Sequence, residues 1–327
     1  MSMIIKALTS FCSPGGKNGR LSILIFHRVL PQPDPVLNWD LHARDFSDIL
    51  SWMSKWFNVL PLDQAIRMLK SGTLPSRAAA ITFDDGYEDN LTVAAPILVN
   101  HGMTATFFVA SGYLNGGQMW NDTIIESVRQ CSKNRLDLSD EGLGVYDLSG
   151  PESIRNAIVS ILKVVKYRSF DDRIRLSKFV KISANVHLHQ DLMLTSQQVV
   201  ELRDLGMHIG SHTVNHPILS TLSADQVIEE ILDNKNFLEC LLQEKIGLFA
   251  YPNGKPNIDY RFSDTEILRK LGFDAAFTTA WGVADTFSDL MQLPRFTPWD
   301  RNPFGFAFRM NKNLRHNSLL RANQLAA

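Results

Sequence analysis

Residues 81–87 read ITFDDGY, an apolar run that ends in two adjacent carboxylates, Asp84 and Asp85, and a glycine. Like charges side by side are costly wherever water is scarce, so something must offset the repulsion: a metal ion, a cationic side chain, or exposure in a turn. Neighbouring strand residues point to opposite faces of a sheet. Both carboxylates can face one cavity only if the strand ends there, and Gly86 supplies backbone freedom at that point. The competing reading is an Asx-turn in which Asp84 or Asp85 caps the following helix.

Working outward from this stretch, short β-rich runs alternate with helix-length amphipathic segments. SILIFHRV (22–29) has a buried-strand pattern, and DFSDILSWMSKWF (45–57) has helical spacing with Asp45 at its N-cap. AAAITFDDG, TATFFVA, MHIGSH, IGLFAYP and FDAAFTT read as further strands, and MQLPRF as the last. Helix starts between them are marked by Thr195 with Gln198, Ser223 with Gln226, and Ser263 with Glu266. Glu88 and Asp89 fall in the first turn after ITFDDGY, where acids complement the helix dipole. About seven or eight strands alternating with helices predict a parallel sheet, most simply a distorted (β/α) barrel. An open doubly wound sheet is the second choice, because no Gly-rich dinucleotide loop follows the first strand.

The predicted organisation is an N-terminal segment over 1–20, a barrel over 21–300 with a mostly helical insertion at 115–194, and a basic tail over 301–327. That tail has five Lys or Arg and no acid, and terminal segments of this kind usually pack loosely. An apolar fraction of 45% supports a substantial core, and a net charge of −1 gives no global argument for nucleic acid. Three scattered cysteines without a CxxC pair argue against a disulfide framework or cysteine–zinc site. No apolar run is long enough to span a bilayer. The start, MSMIIKALTSFC, is too short for a secretory core. The expected location is cytoplasmic, with the amphipathic start able to rest on a membrane surface.

In a barrel, reactive groups gather at the carboxyl ends of the strands. His27, Asp84, Asp85, His212 and the run Tyr251-Pro252-Asn253-Gly254 all fall there, with Arg295 on QLPRF. His212 and His216, in GSHTVNHP, are spaced to meet one ion from a helix face or from a strand-exit loop. Two imidazoles and one carboxylate leave an open position for water, as in catalytic zinc sites, and the other aspartate remains unligated as a base. Non-haem iron oxygenases use the same ligand types, but on sheets that this alternating pattern does not resemble.

TFDDGY (82–87), SHTVNHP (211–217) and FAYPNG (249–254) together resemble the polysaccharide deacetylases of the NodB-homology class, carbohydrate esterase family 4. The resemblance covers roughly 21–115 and 195–298. It implies a distorted barrel and metal-dependent removal of N- or O-acetyl groups from an amino-sugar glycan. It also implies Asp84 as catalytic base and Asp85, His212 and His216 as ligands of a divalent metal, usually zinc. Two departures stand out: Ala250 lies where the family commonly has an arginine that steadies the base, and no LxLH supplies a general acid near the end. Arg295 can replace the first. His27 resembles the N-terminal strand histidine of the exopolysaccharide-type subgroup, where it is the acid; a buried structural histidine is the alternative. Asn253 is expected near the developing oxyanion, with Tyr251 and Trp281 against substrate; of Trp120, Trp281 and Trp299, Trp281 is the favoured sugar platform. A catalytically impaired glycan-binding protein, or a hydrolase of an N-formyl sugar or a cyclic amide, remains the alternative function.

Overall fold

The computed structural model describes residues 2–315 and 321–323. Its centre is a curled, all-parallel sheet of seven strands: β1 (Leu21–Phe26), β2 (Asn58–Val59), β3 (Ala78–Phe83), β4 (Thr106–Val109), β5 (His208–Ser211), β6 (Leu248–Ala250) and β7 (Ala275–Phe277). The order is β1-β3-β4-β5-β6-β7, with β2 paired to the start of β3. The expected last strand, MQLPRF, is not a regular strand. Leu290–Gln292 forms a 3-10 turn, and Leu293 and Phe296 then make single parallel bridges to Phe277 of β7 and Leu24 of β1. Pro294 has no N–H to give a ladder, so the barrel is completed by two bridges instead of a paired strand.

Period-two alternation divides the strands between two packing layers. In β3, Ala79, Ile81 and Phe83 join the outer cluster with Phe26, Phe46 and Phe107, while Ala78 and Ala80 join an inner one with Leu21, Ile23, Phe108 and Phe277. Small residues are required inside: a Cβ on Gly210 of β5 would stand 2.4 Å from the Phe108 ring. The helix α3 (Leu62–Ser71) packs Leu62, Ala65, Ile66 and Leu69 against this inner cluster. Asp84, Asp85 and His212 lie at the opposite, carboxyl end of the strands.

The outer layer contains α2 (Ala43–Trp56), α4 (Ala95–Asn100), α8 (Ser196–Asp204), α9 (Ala224–Leu242) and α10 (Phe262–Lys270). Capping boxes at Thr195/Gln198 and Ser223/Gln226 start α8 and α9. Two other starts shift: α2 begins before Asp45, which sits in its first turn, and α10 is capped by Asp264 on the Arg261 N–H, not by Ser263.

Residues 115–194 form α5 (Trp120–Gln130), α6 (Pro151–Val165) and α7 (Phe170–Ala184), plus a small antiparallel hairpin of Arg135–Asp137 with Val145–Asp147. They bury a separate cluster that includes Ile124, Leu136, Ile158, Ile161 and Val180, joined by Val36 and Leu37 from the loop after β1. The 301–315 part of the basic tail is not loose. Its helix α11 (Pro303–Leu314) buries Phe306, Met310 and Leu314 and packs against α2 and the N-terminal helix α1 (Ser2–Cys12). The remainder of the tail, apart from 321–323, lies outside the described residues.

Candidate active site

Strand parity explains half of the site. Asp84 continues the inward series Ala78, Ala80, Thr82, and His212 continues His208, Gly210, so both enter the barrel mouth. Asp85 should face outward. Its φ of +79°, followed by +88° at Gly86, reverses the chain direction, and the Asp85 carboxylate turns toward the same space. Left-handed backbone is unfavourable for a residue with a Cβ, though least so for Asn and Asp. The special conformation lies on the aspartate itself as well as on the glycine after it. Neither aspartate caps a helix.

HTVNH is a loop, with positive φ at Thr213 (66°) and His216 (50°). It is clamped from α9: Glu230 accepts the N–H groups of Val214 and Asn215 at 3.0 and 2.8 Å and the Asn215 side chain at 2.7 Å. Asn234, one turn on, donates to the Ser211 hydroxyl at 2.8 Å and holds the end of β5. His212 Nδ1 lies 2.7 Å from the Ala250 carbonyl, which assigns the proton to Nδ1 and leaves the Nε2 lone pair free.

That lone pair converges with two others. His212 Nε2 is 3.3 Å and His216 Nε2 3.4 Å from the same Asp85 oxygen, Oδ1. Asp85 Oδ1 is buried without a hydrogen-bond partner, and the three ligand atoms lie within 4.8 Å of one another. An orphaned buried carboxylate oxygen facing two imidazole nitrogens is the donor set of a divalent-metal site. The residues fit such an ion.

Asp84 lies beside this trio but is held out of it. Arg295, fully buried, donates from both terminal nitrogens to the two Asp84 oxygens at 2.6 and 2.7 Å. The guanidinium is fixed in turn by Nε on the Thr278 carbonyl at 3.0 Å and by the Phe108 ring 5.5 Å away. Burial acts to raise the Asp84 carboxyl, but Arg295 and His212 outweigh it, so its pKa lies below the ordinary value. Asp85 is lowered likewise: burial opposes, and the histidines prevail. His212 is raised, because Asp84 and Asp85 outweigh its burial, whereas burial pushes His216 down to about 4 despite Asp85.

A polysaccharide deacetylase family model matches residues 71–140 and 150–276, more than half of the chain. The chain belongs to the polysaccharide deacetylase family. Members are hydrolases of carbon–nitrogen bonds other than peptide bonds. The chain is 22% identical over 281 residues to a putative polysaccharide deacetylase, YxkH, of Bacillus subtilis, covering 85% of this chain and 71% of that one. Among solved structures it is similar to the Streptococcus pyogenes deacetylase PplD, in complex with acetate, at TM-score 0.60, 21% identity, and 91% and 100% coverage of this chain and that one. It is also similar to IcaB from Ammonifex degensii at TM-score 0.57, 19% identity, and 92% and 99% coverage. At these identities the two structures bear on the fold alone, and they agree with the distorted barrel.

The remaining predicted residues of this deacetylase-family chain divide. A cavity of about 680 Å³ is lined by His27, Asp84, Asp85, His212, His216 and Asn253 together. His27 is exposed at its rim, not buried as a structural histidine. Tyr251 is corrected: its ring is fully buried, stacks on Tyr260 with centroids 3.9 Å apart, and donates its hydroxyl to the Met291 carbonyl behind β6. Strand parity accounts for this, because Tyr251 follows the inward Ala250. Trp281 is 39% exposed and lies outside the cavity, edge-on to Phe296 and 5.0 Å from Trp299, which lines the cleft beside it. Trp120 lines the cavity, and Trp39 and Trp299 line the adjoining cleft. Asp89 stands at the N-cap of the helical turn Asn90–Ala94, as expected, but its carboxylate is buried, accepting from Arg28 Nε at 2.7 Å and the Val29 N–H at 3.1 Å.

Sequence reading missed the walls that the insertion and the β1 loop add, among them Asp40, Asp122, Lys166 and Arg173. Asp122 accepts the Tyr87 hydroxyl at 3.1 Å, and burial lifts its carboxyl to about 7. Burial lifts Asp40 to about 6. None of the four belongs to a motif that could have announced it.

Proposed function

We propose that this chain is a metal-dependent deacetylase that hydrolyses acetyl groups, N-linked or O-linked, on an amino-sugar glycan. The observation that carries the reading is the division of labour between adjacent aspartates. One has an orphaned oxygen facing two imidazoles; the other, 4.0 Å from His212 Nε2, is locked in a bidentate pair with Arg295. Asp85, His212 and His216 would hold the ion, zinc being the first choice for this ligand set. Such an ion, when bound, polarises an acyl carbonyl and acidifies water.

The protein's own groups do the rest. Asp84, ionised under the Arg295 fork, accepts a proton from the attacking water. His27, at the end of β1 on the same cavity, supplies the proton that the departing sugar amine requires. The turn after β6 brings the backbone of Asn253, at φ 59°, to the cavity wall, where its N–H is available to a developing oxyanion. A glycan would lie along the cavity and the neighbouring cleft, with the exposed rings of Trp39, Trp281 and Trp299 offering faces to sugar.

The test is acetate release, with the matching loss of acetyl mass from an N-acetylglucosamine oligosaccharide, by zinc-loaded protein. Intact substrate, alongside a protein that binds zinc and the glycan, would favour a binding role instead.

The proposed location is a membrane surface facing the cytoplasm. Among the described residues no helix is long and apolar enough to cross a membrane. However, α1 exposes Met3, Ile4, Leu8 and Phe11 beside Lys6, and α11 exposes Phe304 and Phe308 beside Lys312. Neither helix carries an acid. Apolar rings with cations and no acids suit an anionic lipid interface.

A further inference from the structure

The wall that the insertion adds to the cavity is rich in positive charge. Lys163 and Lys166 come from α6 and the turn after it, and Arg173 from α7. Arg173 is only 3% exposed, yet its Nε has no hydrogen-bond partner. The guanidinium rests between two rings, 5.6 Å from the centroid of Trp120 and 5.7 Å from that of Phe170. Among the described residues no carboxylate lies within ion-pair distance of Arg173 or Lys166. The other buried arginine of this cavity region is treated differently: Arg295 is paired in bidentate fashion. Arg28, which also lines the cavity, is paired as well.

Burying an unpaired cation is expensive, and an ordinary interior answers it with an acid. Here the cavity's acids lie elsewhere. Asp122 is bonded to Tyr87, and Asp40 lies within the field of Arg28. Burial and the nearby charges of Lys255 and Arg173 hold the Lys166 ammonium below its ordinary pKa, with Asp259 only partly opposing. Two or three cations, one of them dry and presenting a planar fork, thus face a space that already holds the reacting groups. A guanidinium fork matches carboxylate and phosphate oxygens in pairs.

We propose that Arg173 and Lys166, with Lys163 at the rim, form a subsite for an anionic group on the substrate. The glycan would then carry a sugar carboxylate or a phosphate ester close to the acetylated residue. This rests on the deacetylase reading of the same cavity and narrows it to an acidic substrate. Trp120, under the guanidinium, would hold the fork in place.

Binding is measured by titration calorimetry on zinc-loaded protein with three sugars lacking acetyl groups, so that no turnover intervenes. They are a glucosamine dimer, glucosamine linked to glucuronate, and glucosamine 1-phosphate. One or both of the sugars that carry an anion should bind at least about tenfold tighter than the glucosamine dimer, whose only charges are ammonium groups, and which one does so names the group. Arg173→Met should reduce that preference to within about threefold; Lys166→Gln, at a more exposed position, should lower it if Arg173→Met does not fold. Arg173→Lys should restore part of it. Equal binding of all three sugars by the wild type overturns the proposal, as does a uniform loss across the three in the variants, which marks a packing role. Acetate release from the acetylated forms separates the two readings. Release without charge preference removes the subsite only, and charge preference without release removes the hydrolase only.

Discussion

Asp85 shows what a single φ angle does. On a regular strand its carboxylate would lie on the outer face, and the left-handed turn brings it beside Asp84, where the two identical side chains meet different partners. Asp84→Asn should lower kcat by about 10² to 10⁴-fold, the usual worth of a general base, while zinc content measured by atomic absorption stays at the wild-type level. Asp85→Asn tolerates the same backbone but loses the charged ligand, so it should lose both metal and activity. The reverse pattern would exchange the two roles. Arg295→Met leaves Asp84 buried and unpaired, and should cost roughly 3–5 kcal/mol in urea unfolding along with most of the activity. The cation itself was legible in LPRF, but its bidentate geometry was not, because partners 211 positions apart in the chain meet only in three dimensions.

Among the elements, α9 supports the metal-site loop from outside. Glu230 bonds to the loop without touching a proposed ligand, so Glu230→Gln should weaken zinc affinity by about 10–100-fold while the far-ultraviolet spectrum is unchanged. An affinity within twofold of wild type would show the loop to be rigid without that clamp. Helix α5 carries a different consequence. Burial raises the Asp122 carboxyl to about 7, above its unfolded value near ~3.9. Folding therefore favours the protonated form, and this stabilising contribution is complete below about pH 3.9 and lost as pH rises toward 7. Asp122→Asn escapes that loss. Its unfolding free energy relative to wild type should rise between about pH 4 and pH 7, by on the order of a few kcal/mol, and a flat difference in urea titrations across the window would refute the assignment. Helices were legible where caps are local, as at Thr195 and Ser223. They shifted at Asp45 and Ser263, where the residues just before the expected cap also continue the helix and Asp264 competes for the capping role.

Across the whole molecule, the two terminal helices pack together, although they are far apart in the chain, and each exposes apolar side chains. Phe11→Ser with Phe308→Ser should reduce co-flotation with phosphatidylserine vesicles at least about fivefold without altering turnover on a soluble substrate. Wild-type protein that fails to float, or that dimerises through these side chains, would remove the membrane assignment. The alternating pattern of strands and helices determined a parallel α/β sheet by itself and favoured the barrel over an open sheet, since strand parity and helical periodicity are local and each must bury one face. The same local order placed His27, Asp84, Asp85, His212, His216 and Asn253 at strand ends, where the mouth of a parallel barrel must be. Only the tertiary structure decided which side chains share the cavity. It withdrew Tyr251, one residue past an inward position, and set Trp281 beside Trp299 at the cleft. It also built the basic wall from an insertion whose spacing carries no motif. Those outcomes depend on where separate helices come to rest against the mouth, and that is set by packing among residues far apart in the chain.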